Sequence, residues 1–350
     1  MDLHPLLKDP RAVLVVREPV PAEPAWADFE HVGERALDAA GFRLHGEKVV
    51  FKPNVTSGEH FANPDTGITT HPGFIAGMIR YAREHGARRD GFYIVEDPRN
   101  SDDNKPRHWK ATGYEALAEA TGAKLRCPNV YNTVRRTAPR PRVHATRRVS
   151  RLAVAPDSVL INAPKLKTHN LSITTLCMKN LMGLDLVFDR HYCAQAWQEM
   201  PPHVRDEKRP RHEWMTREIH EQWQEGLARR LADLAQVIQP RLNVVEGVVG
   251  RDGTGFNRGR NFTLGMAVVG VNMIAVDAIT SFIMGFDPLR LVYLKVAAAA
   301  GLGCNDARDL RVYTAEDGDL RLCRDIDRLR LDPPFEVISG VKEEQLSAVA

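Results

Sequence analysis

A chain of 350 residues with 43% apolar content has room for one large α/β domain or two smaller ones. Its formal net charge of +3, from 48 basic against 45 acidic residues, argues against a general nucleic-acid binder, whose contact face shows as a large basic excess. No apolar run reaches the ~18 residues of a membrane span, the N-terminus lacks a secretory pattern, and Cys127, Cys177, Cys193, Cys304 and Cys323 stand apart without any C-x-x-C; the expectation is a cytoplasmic protein with reduced thiols and no membrane or nucleic-acid partner.

In chain order, residues 12–17 (AVLVVR) read as a first strand, and Pro19, Pro21 and Pro24 as a spacer before a helix from Trp26 to Ala40. Lys48-Val49-Val50-Phe51-Lys52 is a short apolar strand stopped by Pro53, which has no N–H for the ladder, so Lys52 and Asn54 fall at its carboxyl end. A polar loop from Val55 leads to Thr70-His71-Pro72. Proline suits the first helical position, which puts His71 at the N-cap of a helix running to about His85. Residues 90–97 (DGFYIVED) read as a third strand, Trp109 to Thr121 as a helix and Lys124 to Arg126 as a brief strand. The basic segment 135–151 (RRTAPRPRVHATRRVSR) reads as a solvated hairpin or loop in preference to a docking patch for an acidic partner.

A buried strand over Ser158 to Ile161 is expected to end in a loop, Asn162 to His169, carrying Lys165, Lys167 and His169. Ser172 then opens a short helix with apolar residues at Ile173, Leu176, Cys177 and Leu181, its positive end facing that loop. Lys179 and Asn180 lie on it, and because helical side chains lean toward the N-terminus, the Lys179 stem reaches back to the loop. Asp189-Arg190-His191 precedes another helix, and Trp214 to Gln239 is a long amphipathic one. Residues 185–240 are accordingly a helical insertion, a lid or part of the main core. Residues 241–249 form a strand with Glu246 where an apolar residue would be expected, followed by Gly250 to Gly255, a structural turn that lacks the spacing of a phosphate loop. A strand over 262–271 and helices over 273–284 and 289–300 complete the pattern, with Asp277 expected to hold a loop by hydrogen bonds. Strands alternating with helices predict a single layered α/β domain, its core about 48–304, with a mostly parallel central sheet and helices on both faces.

Six features occur in one order: Lys52-Pro53-Asn54; Thr69-Thr70-His71-Pro72; the INAPKLKTH run from Ile161 to His169; Lys179-Asn180-Leu181-Met182-Gly183; Val245-Glu246-Gly247; and Ala275-Val276-Asp277 with Met284-Gly285. In these the chain resembles the bacterial and archaeal family catalogued as domain of unknown function 362, over about residues 48–304. Some relatives look like iron–sulfur proteins because they carry ferredoxin-type cysteine clusters. This chain has none, so no iron–sulfur cluster is expected, and Glu246 stands where relatives carry aspartate.

Ligands of open α/β sheets bind beyond the carboxyl ends of the strands, where Lys52, Asn54, Lys165, Lys167 and Glu246 are expected to fall. Ammonium groups gathered near helix N-termini repel one another unless an anion neutralises them, so the expected ligand is a small phosphate- or carboxylate-bearing metabolite. In an enzyme, Lys52, Asn54, Lys165, Lys167 and Asn180 would bind it, and His169, Lys179, Glu246 and His71 would carry the acid–base chemistry. A crowded lysine of depressed pKa also suits Schiff-base formation. Lyase, isomerase and transferase chemistry all fit, as does a non-catalytic ligand-binding or redox-accessory role, and homo-oligomerisation stays open. No cofactor is identified. A divalent metal on His71, His169 and His191 is the lesser reading, because no two histidines have close ligand spacing and the lysines oppose a cation.

Overall fold

The computed structural model describes residues 1–55, 66–97, 108–186, 192–204, 215–316 and 319–341. Its strands are β1 (Ala12–Arg17), β2 (Lys48–Pro53), β3 (Phe92–Val95), β4 (Lys124–Arg126), β5 (Thr133–Thr137), β6 (Thr146–Ser150), β7 (Ser158–Ala163), β8 (Lys165–His169), β9 (Ile173–Thr174), β10 (Leu242–Arg251), β11 (Asn261–Gly270), β12 (Arg311–Glu316) and β13 (Asp319–Leu322). Nine of them run in the order β13-β12-β1-β11-β10-β7-β2-β3-β4, with β8 added on β10 and β9 on β8. The half of the sheet from β10 to β4 is parallel, and antiparallel pairs enter at β11, β13 and β9.

Successive side chains of a strand face opposite ways, and here both faces are covered. Leu14, Val16, Val49, Phe51, Val159 and Ile161 pack with α1 (Trp26–Ala39) and α2 (Pro72–Glu84). Their neighbours Val13, Val15, Val50 and Leu160 enter the opposite layer. That second layer holds the helices Arg217–Val237, Met273–Ile283 and Val292–Ala299. Trp223, Leu227, Leu231 and Leu234 of the first of these are buried in the same cluster as Leu160 and Val245. The mostly parallel, two-faced α/β layering is therefore as the alternation of apolar runs predicts. Among the described residues no helix is long and apolar enough to cross a membrane.

The helix expected over 109–121 is broken at Gly113, whose φ of 78° is left-handed, into α3 (His108–Ala111) and α4 (Tyr114–Thr121). The basic segment is an antiparallel hairpin of β5 and β6, with Arg135 and Arg136 exposed. Two further expectations need correction. The Asn162 to His169 loop is strand almost throughout: β7 pairs with β2 as far as Ala163, and past Pro164 the chain continues as β8 beside β10, with Lys165 opposite Glu246. The segment from Ser172 is not helical either. Ile173 takes a left-handed φ of 66°, a conformation that a β-branched residue resists, and β9 pairs back on β8. The helix is only α5 (Cys177–Asn180), continued by a 3₁₀ turn, Leu181–Leu184. Its first amides, Cys177 N–H (2.7 Å) and Met178 N–H (3.0 Å), donate to Asp277, which supplies the cap from a hundred residues away.

Candidate functional site

Strand period places Lys165, Lys167 and His169 on one face of β8, about 6.6 Å apart in sequence, with Leu166 and Thr168 on the other. All three are buried, at 0%, 1% and 7% exposure. A buried ammonium demands a partner, and two lysines of the rim have one. Lys165 pairs with Glu246, whose carboxylate also accepts from Val248 N–H (2.9 Å) and His71 N–H (3.2 Å). Lys52 donates to Glu96 (2.7 Å), to the Pro53 carbonyl (2.7 Å) and to Asn180 Oδ1 (3.1 Å). Asn180 returns a bond to the Lys52 carbonyl (2.8 Å) and donates to Asn162 Oδ1 (2.9 Å), which in turn reaches Asn243 (3.0 Å). Burial pulls the ammonium pKa of Lys52 and Lys165 down, and pushes the Glu96 carboxyl up, each opposed by the partner's charge.

Lys167 is placed differently. Its Nζ donates to the Ile68 carbonyl (2.7 Å) and lies 4.5 Å from the centre of the Phe256 ring. Burial holds its pKa well below the usual lysine range, and the nearby charges of Lys179, Lys165 and Arg251 lower it further. Lys179 sits at 9% exposure, and Arg251 donates to neutral acceptors, the Phe256 carbonyl (2.6 Å) and Asn261 Oδ1 (2.7 Å). Neither Lys167 nor Lys179 has a carboxylate partner among the described residues. Asn54, 7% exposed just past the end of β2, keeps a buried side-chain oxygen with no hydrogen-bond partner among the described residues.

The histidines serve turns. His169 Nδ1 accepts from Leu171 N–H (3.0 Å), and its ring stands edge-on to Phe256 at 5.8 Å, so a neutral ring carries its proton on Nε2. His71 Nδ1 caps α2 by accepting from Gly73 N–H (3.0 Å), and its ring stacks on Phe29 at 3.7 Å; burial, then Lys165, push its pKa down to about 3. His191 lies outside the described residues. Among the described residues no three His, Cys, Asp or Glu side chains converge as metal ligands. Asp277 holds the α5 backbone, as its burial in an apolar helix suggests, with its pKa raised to about 7 by that burial. Over β8, the Gly250 to Gly255 segment turns tightly: Gly255 has a φ of 72°, a Cβ there would strike the Thr168 carbonyl, and Thr168 Oγ1 donates to Gly253 O (2.9 Å).

The structure thus forms three sets of contacts at the strand rim, Lys52 with Glu96 and Asn180, Lys165 with Glu246 and His71, and Lys167 and His169 against Phe256, and sets Lys179 close enough to Lys167 to act on its charge. Sequence reading overlooked Glu96, Arg251 and Phe256. Only Glu96 carried a signal, as a carboxylate ending a strand beside one that ends in Lys52. A cleft of about 810 Å³ opens at the opposite rim among Lys8, Arg136, Ser158 and Arg241, and is lined by none of these side chains. The buried charged groups with shifted pKa, Lys52, Glu96, Lys165 and Lys167, thus gather at the first rim.

A family described as a domain of unknown function (DUF362) matches residues 49–281, well over half of the chain. A thylakoid-associated protein of Synechocystis sp. is 25% identical over 269 residues, covering 74% of this chain and 69% of that protein. No solved structure matches.

Proposed function

Because this chain belongs to the DUF362 family, whose description carries no activity, we propose a function from the site alone: an enzyme acting on a small carboxylate- or phosphate-bearing metabolite by lysine and histidine acid–base chemistry at the carboxyl rim of the sheet. The observation that carries it is the contrast among the lysines. Lys52 and Lys165 answer buried carboxylates, whereas Lys167 and Lys179 have none among the described residues, and the charges of Lys179 and Arg251 both act on Lys167. Crowded like charges are tolerated where an anion completes the set. In this reading Lys179 takes the anionic end, Asn54 orients the substrate, and His169 moves the proton, whereas Asn180, its amide committed to Lys52 and Asn162, only supports the rim. The Lys165–Glu246 and Lys52–Glu96 pairs hold the rim in register, with His71 fixing α2 against the first. A cytoplasmic location goes with this reading, and the thylakoid association named for the Synechocystis relative makes cell fractionation the check on it.

The test has two arms. Phosphate, pyruvate and lactate at saturating concentration should raise the Tm by a few degrees, an effect lost in Lys179→Ala. In deuterated water, the C–H next to the carboxylate of a bound hydroxy acid, or next to the carbonyl of a bound oxo acid, should exchange, and His169→Ala should stop the exchange while keeping the Tm shift. Without any anion-dependent shift the site has been misread. A shift with neither exchange nor turnover points instead to a non-catalytic binding or redox-accessory protein.

A further inference from the structure

The described surroundings of Lys167 suit an uncharged nitrogen. An ammonium has three hydrogens to place, and the described contacts of Nζ are one backbone carbonyl, Ile68, and the face of Phe256. The ring attracts a cation only weakly. Against that, burying an ammonium with no carboxylate bonded to it is costly, and the charges of Lys179, Lys165 and Arg251 oppose it further, with only Glu96 pulling the other way. The balance favours the amine, whose lone pair is available for bonding. Lys165, its neighbour on the same strand face, is spoken for by Glu246, so the two lysines of the KLKTH run have unlike chemistry.

Resting on the anion-site reading above, we propose that Lys167 is a covalent nucleophile that forms a Schiff base with the carbonyl of a small oxo acid or aldehyde, while Lys179, reinforced by the field of Arg251, holds that molecule's carboxylate or phosphate. The Nζ lone pair forms the C–N bond, and the carbonyl π pair moves onto oxygen, which is protonated. Loss of water then leaves C=N. The two amine hydrogens depart with the carbonyl oxygen as water, so the step needs no oxidant, reductant or further reactant. His169, next along the same strand face and against the same Phe256 ring, is positioned to pass those protons. The assignment narrows the reaction to those an iminium accelerates: decarboxylation, aldol-type cleavage, or proton abstraction from the adjacent carbon.

The full chain is incubated with glyoxylate or pyruvate and sodium cyanoborohydride, and the reduced adduct is located by intact mass and peptide mapping. The expected increment is the oxo acid less one oxygen atom, at Lys167. It should form about tenfold or more faster than at the exposed Lys110 and Lys295, because each unit by which a lysine pKa falls raises its amine fraction about tenfold. Labelling confined to exposed lysines overturns the proposal. Lactate, which has the carboxylate but no carbonyl, separates the two levels of failure in a parallel thermal-shift measurement. A lactate-dependent shift with Lys167 unlabelled removes the nucleophile and leaves the anion site standing; no shift and no label removes both.

Discussion

His71 shows how one side chain can be read two ways and decided by its contacts. Its Nδ1 is committed to the Gly73 amide and its ring to the face of Phe29, so it enters the site as a neutral helix cap. Its pKa, about 3 in the fold against 6.5 for a free imidazole, means that the unfolded chain binds the proton more readily between those values. Stability from this group is therefore fully present above about pH 6.5 and is lost as pH falls toward 3. Replacing His71 with Ala should cost about 1 kcal/mol at neutral pH through loss of the cap. His71→Asn should keep most of the cap and flatten the acid-side decline. Urea unfolding of the three proteins at neutral pH and in steps down through mild acid checks this; an unchanged slope in His71→Asn would refute the assignment.

At the scale of elements, the rim depends on how closely the 3₁₀ turn Leu181–Leu184 approaches β2. A Cβ on Gly183 would run into the Glu96 carboxylate and come within 2.8 Å of Lys52 Cε. Gly183→Ala should therefore push apart the Lys52–Glu96 pair, lower stability by about 1–3 kcal/mol and weaken the anion-dependent Tm shift; native-like values for both would show that the turn has slack. The same region explains what could be read in the chain and what could not. The apolar run of β7 was plain, and so was the helix start at His71-Pro72. The KLKTH run reads as a loop because its alternate positions are polar or charged; Lys165 is tolerable in a buried strand through the carboxylate of Glu246, far along the chain on β10, and Lys167 through the Ile68 carbonyl and the Phe256 ring. The length of α5 was overestimated from Ser172 for a related reason. Local apolar spacing suited a helix, but the cap belongs to Asp277, and the left-handed Ile173 turns the chain back on β8 first. Glu96 reads in sequence as an ordinary polar strand end, because its partner Lys52 is defined only once β2 and β3 lie side by side.

For the molecule as a whole, the long helix Arg217–Val237 belongs to the apolar layer beneath the sheet, where Leu231 is fully buried. Leu231→Ala should lower global stability by about 2–5 kcal/mol in one cooperative urea transition. A separate early transition would instead mean that this helix unfolds as a detachable unit. The two layers and the rim also meet in β8, where Leu166 faces the core while Lys165, Lys167 and His169 face the chemistry. A strand with such divided loyalties has a parity. Adding or deleting a single residue just after Pro164 would trade the odd positions for the even ones, sending two amines and an imidazole into hydrocarbon and leaving Leu166 and Thr168 to confront Glu246. Evolution can vary the loops around this rim in length, but along β8 itself it can move only in steps of two.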